Sequence, residues 1–172
     1  MISGKETDNR AKQEAPRDFK HLAIHVLVQR GLLVFNNIAA KDTVDLIVGI
    51  PKNGELRTAG IRIKTSSLQK REGRRFPYFY FSEDDAEYAV LKTPFFYVFC
   101  LEKKKTTEDT LIAEPTFIVI STSDLAKKTK SFNNGNYGVD ISENQLSPKS
   151  KRSWAKFIKN FDQIKKALED AS

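Results

Sequence analysis

Cysteine is almost missing from this chain: Cys100 stands alone among 172 residues. No disulfide can form within the chain, and no combined Cys/His metal motif is present. Cys100 lies inside Phe95-Phe96-Tyr97-Val98-Phe99-Cys100-Leu101, an apolar run that calls for a small buried residue rather than a nucleophile. Long hydrophobic runs are also lacking. None approaches the ~20 residues of a membrane helix, so no membrane span or membrane partner is expected. Met1 to Glu14 has no apolar centre of the kind a secretory signal needs. Residues 1–15 read as a flexible tail ahead of a single domain over 16–172, and the expected compartment is the cytoplasm. There is no glycine-rich phosphate loop, no Gly-x-Ser-x-Gly elbow and no internal repeat.

What the chain does have is positive charge. Lysine and arginine total 29 against 22 acids, a formal net charge of +7, which favours polyanionic partners. The charge is clustered. Lys70, Arg71, Arg74 and Arg75 follow Lys64 with only Glu72 opposing them, and they read as a basic loop able to contact nucleic-acid phosphates. Lys149, Lys151, Arg152 and Lys156 form a second group at the start of the last helix. Such runs are often plain solvated surface, so placement decides their meaning.

Periodicity gives alternating helices and strands. Pro16 to Arg30 reads as a helix stopped by Gly31, and Leu32 to Phe35 as a short strand. Phe76 to Phe81 is a strand with aromatics on both sides, and Ser82-Glu83-Asp84-Asp85 starts a helix. Residues 95–101 and 116–120 are two buried strands, joined by an exposed turn over Lys103 to Asp109. Ser121-Thr122-Ser123-Asp124 caps a short helix running to Lys128. Residues 131–148 read as a long loop with one edge strand. Trp154, Phe157, Ile158, Phe161, Ile164 and Leu168 follow a 3.6-residue stripe and predict one C-terminal helix packed on the core. The expected architecture is α/β: a mixed central sheet of about five or six strands flanked by the N-terminal and C-terminal helices.

The most informative stretch is Val44-Asp45-Leu46-Ile47-Val48 followed by Ile61-Arg62-Ile63-Lys64-Thr65-Ser66, with Pro51-Lys52-Asn53-Gly54-Glu55 between them. It predicts an antiparallel hairpin that carries Asp45 and Lys64 toward the same end of the sheet. A carboxylate able to hold a divalent cation beside an ammonium able to orient a nucleophile suits phosphodiester hydrolysis. In this spacing, and in the order of the surrounding elements, the chain resembles the PD-(D/E)xK, restriction-endonuclease-like superfamily of nucleases. The resemblance covers roughly residues 16 to 170. It implies a restriction-endonuclease-like core, with Asp45 as metal-binding aspartate, Lys64 as catalytic lysine and the Ile63 carbonyl as backbone metal ligand. Mg²⁺ would be the ion of an active member.

The match departs from the family at one position. Arg62 stands where relatives carry an acid or a glutamine, and it can pair with Asp45 in the metal's place. Asp42, Glu55 and Asp18 are candidates for a relocated acid. The first helix offers no glutamate between Asp18 and Gln29, but His21 and His25 lie four apart on one of its faces, a spacing that suits either two imidazole metal ligands or a plain packed or solvent-exposed pair. The leading expectation is a nucleic-acid-binding protein, with DNA as the partner, on a nuclease scaffold whose catalytic centre is incomplete. The alternatives are an active Mg²⁺-dependent DNA endonuclease and a non-catalytic interaction or regulatory subunit, with a homodimer as a further possibility.

Overall fold

The computed structural model describes residues 19–36, 44–65, 67–71, 74–81, 94–101, 115–131 and 137–171. The tail over 1–15, the helix start at Pro16, Asp18, Asp42, Glu72, the helix start at Ser82 and the turn over 103–109 lie outside these residues. A first helix, α1, spans residues 19–29 and closes around Gly31, where the Leu32 N–H reaches back to the Leu27 carbonyl at 3.2 Å.

Five strands build the main sheet: β1 (Leu33–Asn36), β2 (Leu46–Lys52), β3 (Glu55–Thr65), β6 (Phe95–Leu101) and β7 (Thr116–Ser121), in the order β1-β2-β3-β6-β7. β2 and β3 are antiparallel, Leu46 opposite Ile61 and Lys52 opposite Glu55. Their connection is the two residues Asn53 and Gly54, with φ of 53° and 81°. Positive φ at both positions gives the tight turn whose twist matches the flanking strands. β3 then pairs with β6 in parallel and β6 with β7 antiparallel, so the sheet is mixed as expected.

Pleating divides the buried side chains between two faces. On one face, Leu46, Val48, Ile61, Phe96, Val98 and Val119 pack with Ala23 and Leu27 of α1. They also meet Phe161, Ile164 and Leu168 of the C-terminal segment, whose helix α3 spans Asp162–Asp170. On the other face, Phe95, Tyr97, Phe99, Ile118 and Ile120 pack with Phe79, Val139, Trp154 and Phe157. The first and last helices therefore cover one face together. The second face is covered by a small sheet of β4 (Ser67–Arg71), β5 (Arg74–Phe81), β9 (Tyr137–Asp140) and β8 (Lys130–Ser131), ordered β4-β5-β9-β8.

This small sheet corrects two sequence expectations. The basic segment after Lys64 is not a loop: Lys70 lies opposite Arg75 and Arg71 opposite Arg74 in the β4–β5 ladder. An edge strand such as β4 tolerates charge well, because charge discourages pairing with another chain. The strand within 131–148 is not at an edge either, since β9 sits between β5 and β8. The short helix behaves as expected. Here α2, it spans Thr122–Ala126, and the Ser121 hydroxyl accepts the Asp124 N–H at 3.2 Å.

The C-terminal stripe is core throughout, but it is not one helix. A 3-10 turn covers Ala155–Phe157, Ile158 forms an isolated antiparallel bridge with Ile118, and Lys159 adopts φ of 50° before α3 begins. The Lys159 N–H donates to the Phe117 carbonyl at 2.8 Å. Trp154 and Phe157 serve one face of the main sheet, and Phe161, Ile164 and Leu168 serve the other. A straight helix could not do both, so the segment bends around β7 and protects that edge strand. Gln163 fastens the bend by donating to the Val119 carbonyl at 2.6 Å.

Candidate active site

Asp45 immediately precedes β2, and its position in the β2–β3 register falls opposite Arg62. Its own N–H donates to the Ile61 carbonyl at 2.9 Å. Its carboxylate Oδ2 accepts the Ile63 N–H at 2.7 Å. The side chain thus takes the place that a backbone carbonyl would hold one step further along the ladder, and it finishes the pairing of β3 where β2 ends. A strand residue sends its N–H and C=O to the same edge. The Ile63 carbonyl consequently leaves β3 on the Asp45 side.

Arg62 lies beside this carboxylate, its Nε 3.7 Å from Asp45 Oδ2, with the two side chains 24% and 30% exposed. That is ion-pair range, longer than a hydrogen bond. Lys64 is two residues from Arg62 and shares its face. In the parallel ladder Arg62 pairs with Tyr97 and Lys64 with Phe99, so both cations rise from the face roofed by the small sheet. The hairpin therefore brings Asp45, Arg62, Ile63 and Lys64 to one end of neighbouring strands, and it places two cations where the family pattern asks for one.

The described donors fit a divalent cation poorly. They are one carboxylate, one of whose oxygens is already held by an amide and faced by a guanidinium, and one backbone carbonyl. Among the described residues no group of three or more His, Cys, Asp or Glu converges to hold a metal. The histidine pair does not complete the set. His21 and His25 are exposed on α1, which packs on the opposite face, and His25 Nε2 lies 2.9 Å from the Gln29 amide nitrogen. Glu55 is at the far end of β3, beside the turn. Cys100 is buried, and burial pushes its thiol up to about 12, so it offers no nucleophile.

The second basic group is divided as well. Lys149, Lys151 and Arg152 lie in the turns before Trp154, and Lys156 lies in the 3-10 turn with its Nζ 4.6 Å from the centre of the Phe157 ring. Two lysines that the sequence reading did not single out, Lys127 and Lys128, end α2 near them. Lys128 Nζ sits 4.6 Å from the centre of the Trp154 ring and donates to the Ser153 carbonyl at 3.1 Å. The adjacent lysines following a capped helix were the only local signal, because the ring that meets them is 26 residues away in sequence.

By sequence, no protein family and no curated protein matches the chain. The shape is better represented. A bacterial homing endonuclease of known structure superposes with a TM-score of 0.57 at 15% identity, over 93% of this chain and 98% of its own. The fold is restriction-endonuclease-like. A Holliday junction resolvase from the archaeal hyperthermophile Archaeoglobus fulgidus also matches, with a TM-score of 0.42 and 14% identity, over 70% of this chain and 86% of its own. Among the described residues, no helix is long and apolar enough to cross a membrane.

Proposed function

We propose that this protein binds nucleic acid, with DNA as the preferred partner, on a nuclease-like scaffold whose catalytic centre is blunted by Arg62. The observation that carries the reading is the Arg62 guanidinium 3.7 Å from Asp45 Oδ2 while that oxygen also accepts the Ile63 N–H. A carboxylate engaged twice in this way attracts a divalent cation less than a free one. The guanidinium beside it stays charged at any working pH and has no electron pair to donate. The fold shared with a homing endonuclease and the net charge of +7 support a polyanionic partner.

The test pairs a binding series with a cleavage assay. Wild-type protein should bind labelled duplex DNA with an affinity that falls steeply as salt rises, and should leave supercoiled plasmid intact in millimolar Mg²⁺. Arg62→Glu returns an acid beside Lys64 and should raise Mg²⁺ affinity measurably in calorimetry. Absence of duplex binding by the wild type would end the proposal. So would robust Mg²⁺-dependent nicking by the wild type that is lost in Asp45→Ala and Lys64→Ala, which would establish an active endonuclease instead.

A further inference from the structure

We infer that the cleft between the end of α2, strand β9 and the turn before Trp154 is a second phosphodiester-binding site, which holds the backbone of a nucleic acid at a point separate from the β4–β5 hairpin. The inference rests on the nucleic-acid reading above and adds a place and a set of contacts to it. The cleft has a volume of about 390 Å³, and its charged lining is Lys127, Lys128, Lys151 and Arg152 against the single acid Asp140. Lys127 is partly neutralised by Asp124 at 3.2 Å. Among the described residues, neither Lys151 nor Arg152 has a carboxylate partner. Both are exposed.

The floor of the cleft is built rather than incidental. Trp154 is 2% exposed and packs edge-on against Phe99 of the main sheet, with ring centres 6.2 Å apart. Its ring and that of Phe157, 5.7 Å from Lys128 Nζ, fix the ammonium from one side. The Ser153 carbonyl fixes it from another. Burial and the nearby Lys156 charge both lower the Lys128 pKa, and only Asp124 opposes them. An anion in the cleft would relieve that electrostatic cost. An ammonium fixed in position loses little ordering entropy when it meets a phosphate oxygen, and the exposed Lys151 and Arg152 can close on the same group.

Position makes one duplex able to use both surfaces. The cleft wall residue Asp140 pairs with Tyr78 of β5, and Arg74 stands four residues further along the same strand, an even spacing that puts the two positions on one face. Four strand residues span about 13 Å, well inside the ~34 Å of one duplex turn. The hairpin and the cleft are thus two contacts on one polyanion. Contacts to phosphates fix register without reading sequence.

The experiment uses the full-length protein, random-sequence labelled duplexes and a salt series. Lys151→Ala/Arg152→Ala alters only exposed side chains, and an unchanged thermal unfolding midpoint verifies that the variant is folded. It should bind roughly ten- to fiftyfold more weakly at ~0.1 M salt and flatten the log–log salt slope by about two units. Trp154 is the only tryptophan, so its fluorescence reports the cleft directly. It should change when duplex is added to the wild type and to Arg71→Ala/Arg74→Ala/Arg75→Ala, and respond far less to inorganic phosphate at matched ionic strength. Wild type that binds duplex while Lys151→Ala/Arg152→Ala keeps the same affinity, slope and fluorescence response would overturn the cleft and leave the proposed function standing. An equal response to free phosphate would reduce the cleft to a simple anion site and overturn its assignment to a phosphodiester backbone. Wild type that binds no duplex at any salt would remove both.

Discussion

At the scale of single residues, Asp45 carries two roles that need different atoms. In the family pattern it is a metal ligand, yet in this chain its carboxylate is first a structural acceptor for the Ile63 N–H. The two roles separate on substitution. Asp45→Ala removes the acceptor from a part-buried amide and should lower stability by about 1–2 kcal/mol, the scale of a lost charge-assisted hydrogen bond at a partly exposed site. Asp45→Asn keeps an acceptor oxygen while discarding the charge that faces Arg62, and should cost clearly less. Urea unfolding of the two variants checks this. Equal losses would mean that the Arg62 ion pair, not the amide contact, is what Asp45 contributes. This pairing was half legible. The spacing of Asp45 and Arg62 across a hairpin was visible in sequence, and so was their capacity to pair. The capture of the Ile63 amide was not, because it depends on β2 stopping one residue short of Asp45.

At the scale of elements, the chain declares its local structure well and its long-range pairing poorly. The β2–β3 hairpin, the buried β6 and β7 and the Ser121 cap follow from residues close in sequence. The small sheet does not, because β9 finds β5 only across some sixty residues. The C-terminal bend was hidden for a related reason. A 3.6-residue stripe describes equally well one helix on one face and two segments on opposite faces, and what selects the second is the bridge from Ile158 to Ile118. Gly60 shows how closely such elements meet. It begins the β3–β6 ladder, its N–H donating to the Pro94 carbonyl at 3.0 Å. A Cβ there would stand 2.6 and 2.8 Å from two carbons of the Phe95 ring, which is 5% exposed and packed against Tyr97. Gly60→Ala should therefore destabilise the protein by about 1–3 kcal/mol, as overpacking does, and shift the denaturant midpoint without changing its slope. A neutral result would show that the Phe95 ring can rotate away. Such freedom would loosen the strand that carries Arg62 and Lys64.

At the scale of the whole molecule, one face of the main sheet is committed to helices and the other to a small sheet that grows directly out of β3. The strand bearing Arg62 and Lys64 is followed, after one residue, by the strand bearing Lys70 and Arg71. The candidate site and the basic hairpin are therefore joined through the single residue Ser66. Composition alone left the +7 charge ambiguous, since many proteins that ignore nucleic acid are equally basic. The pairing of Lys70 with Arg75 and Arg71 with Arg74 places four basic residues at two successive positions of one ladder. Like charges placed directly opposite one another in a ladder are unfavourable in general, and an anion bound there would offset that cost. Arg71→Ala/Arg74→Ala/Arg75→Ala should accordingly do two opposite things. It should leave the free protein as stable as wild type or slightly more so, because repulsion across the ladder is relieved. It should also weaken duplex binding to a similar degree for every sequence tried and flatten the salt slope by up to about three units. Thermal unfolding without DNA and anisotropy with several unrelated duplexes measure the two halves. Loss confined to particular sequences would make the hairpin a reader of bases. Unchanged binding with raised stability would make it a solvated surface whose repulsion the fold simply tolerates.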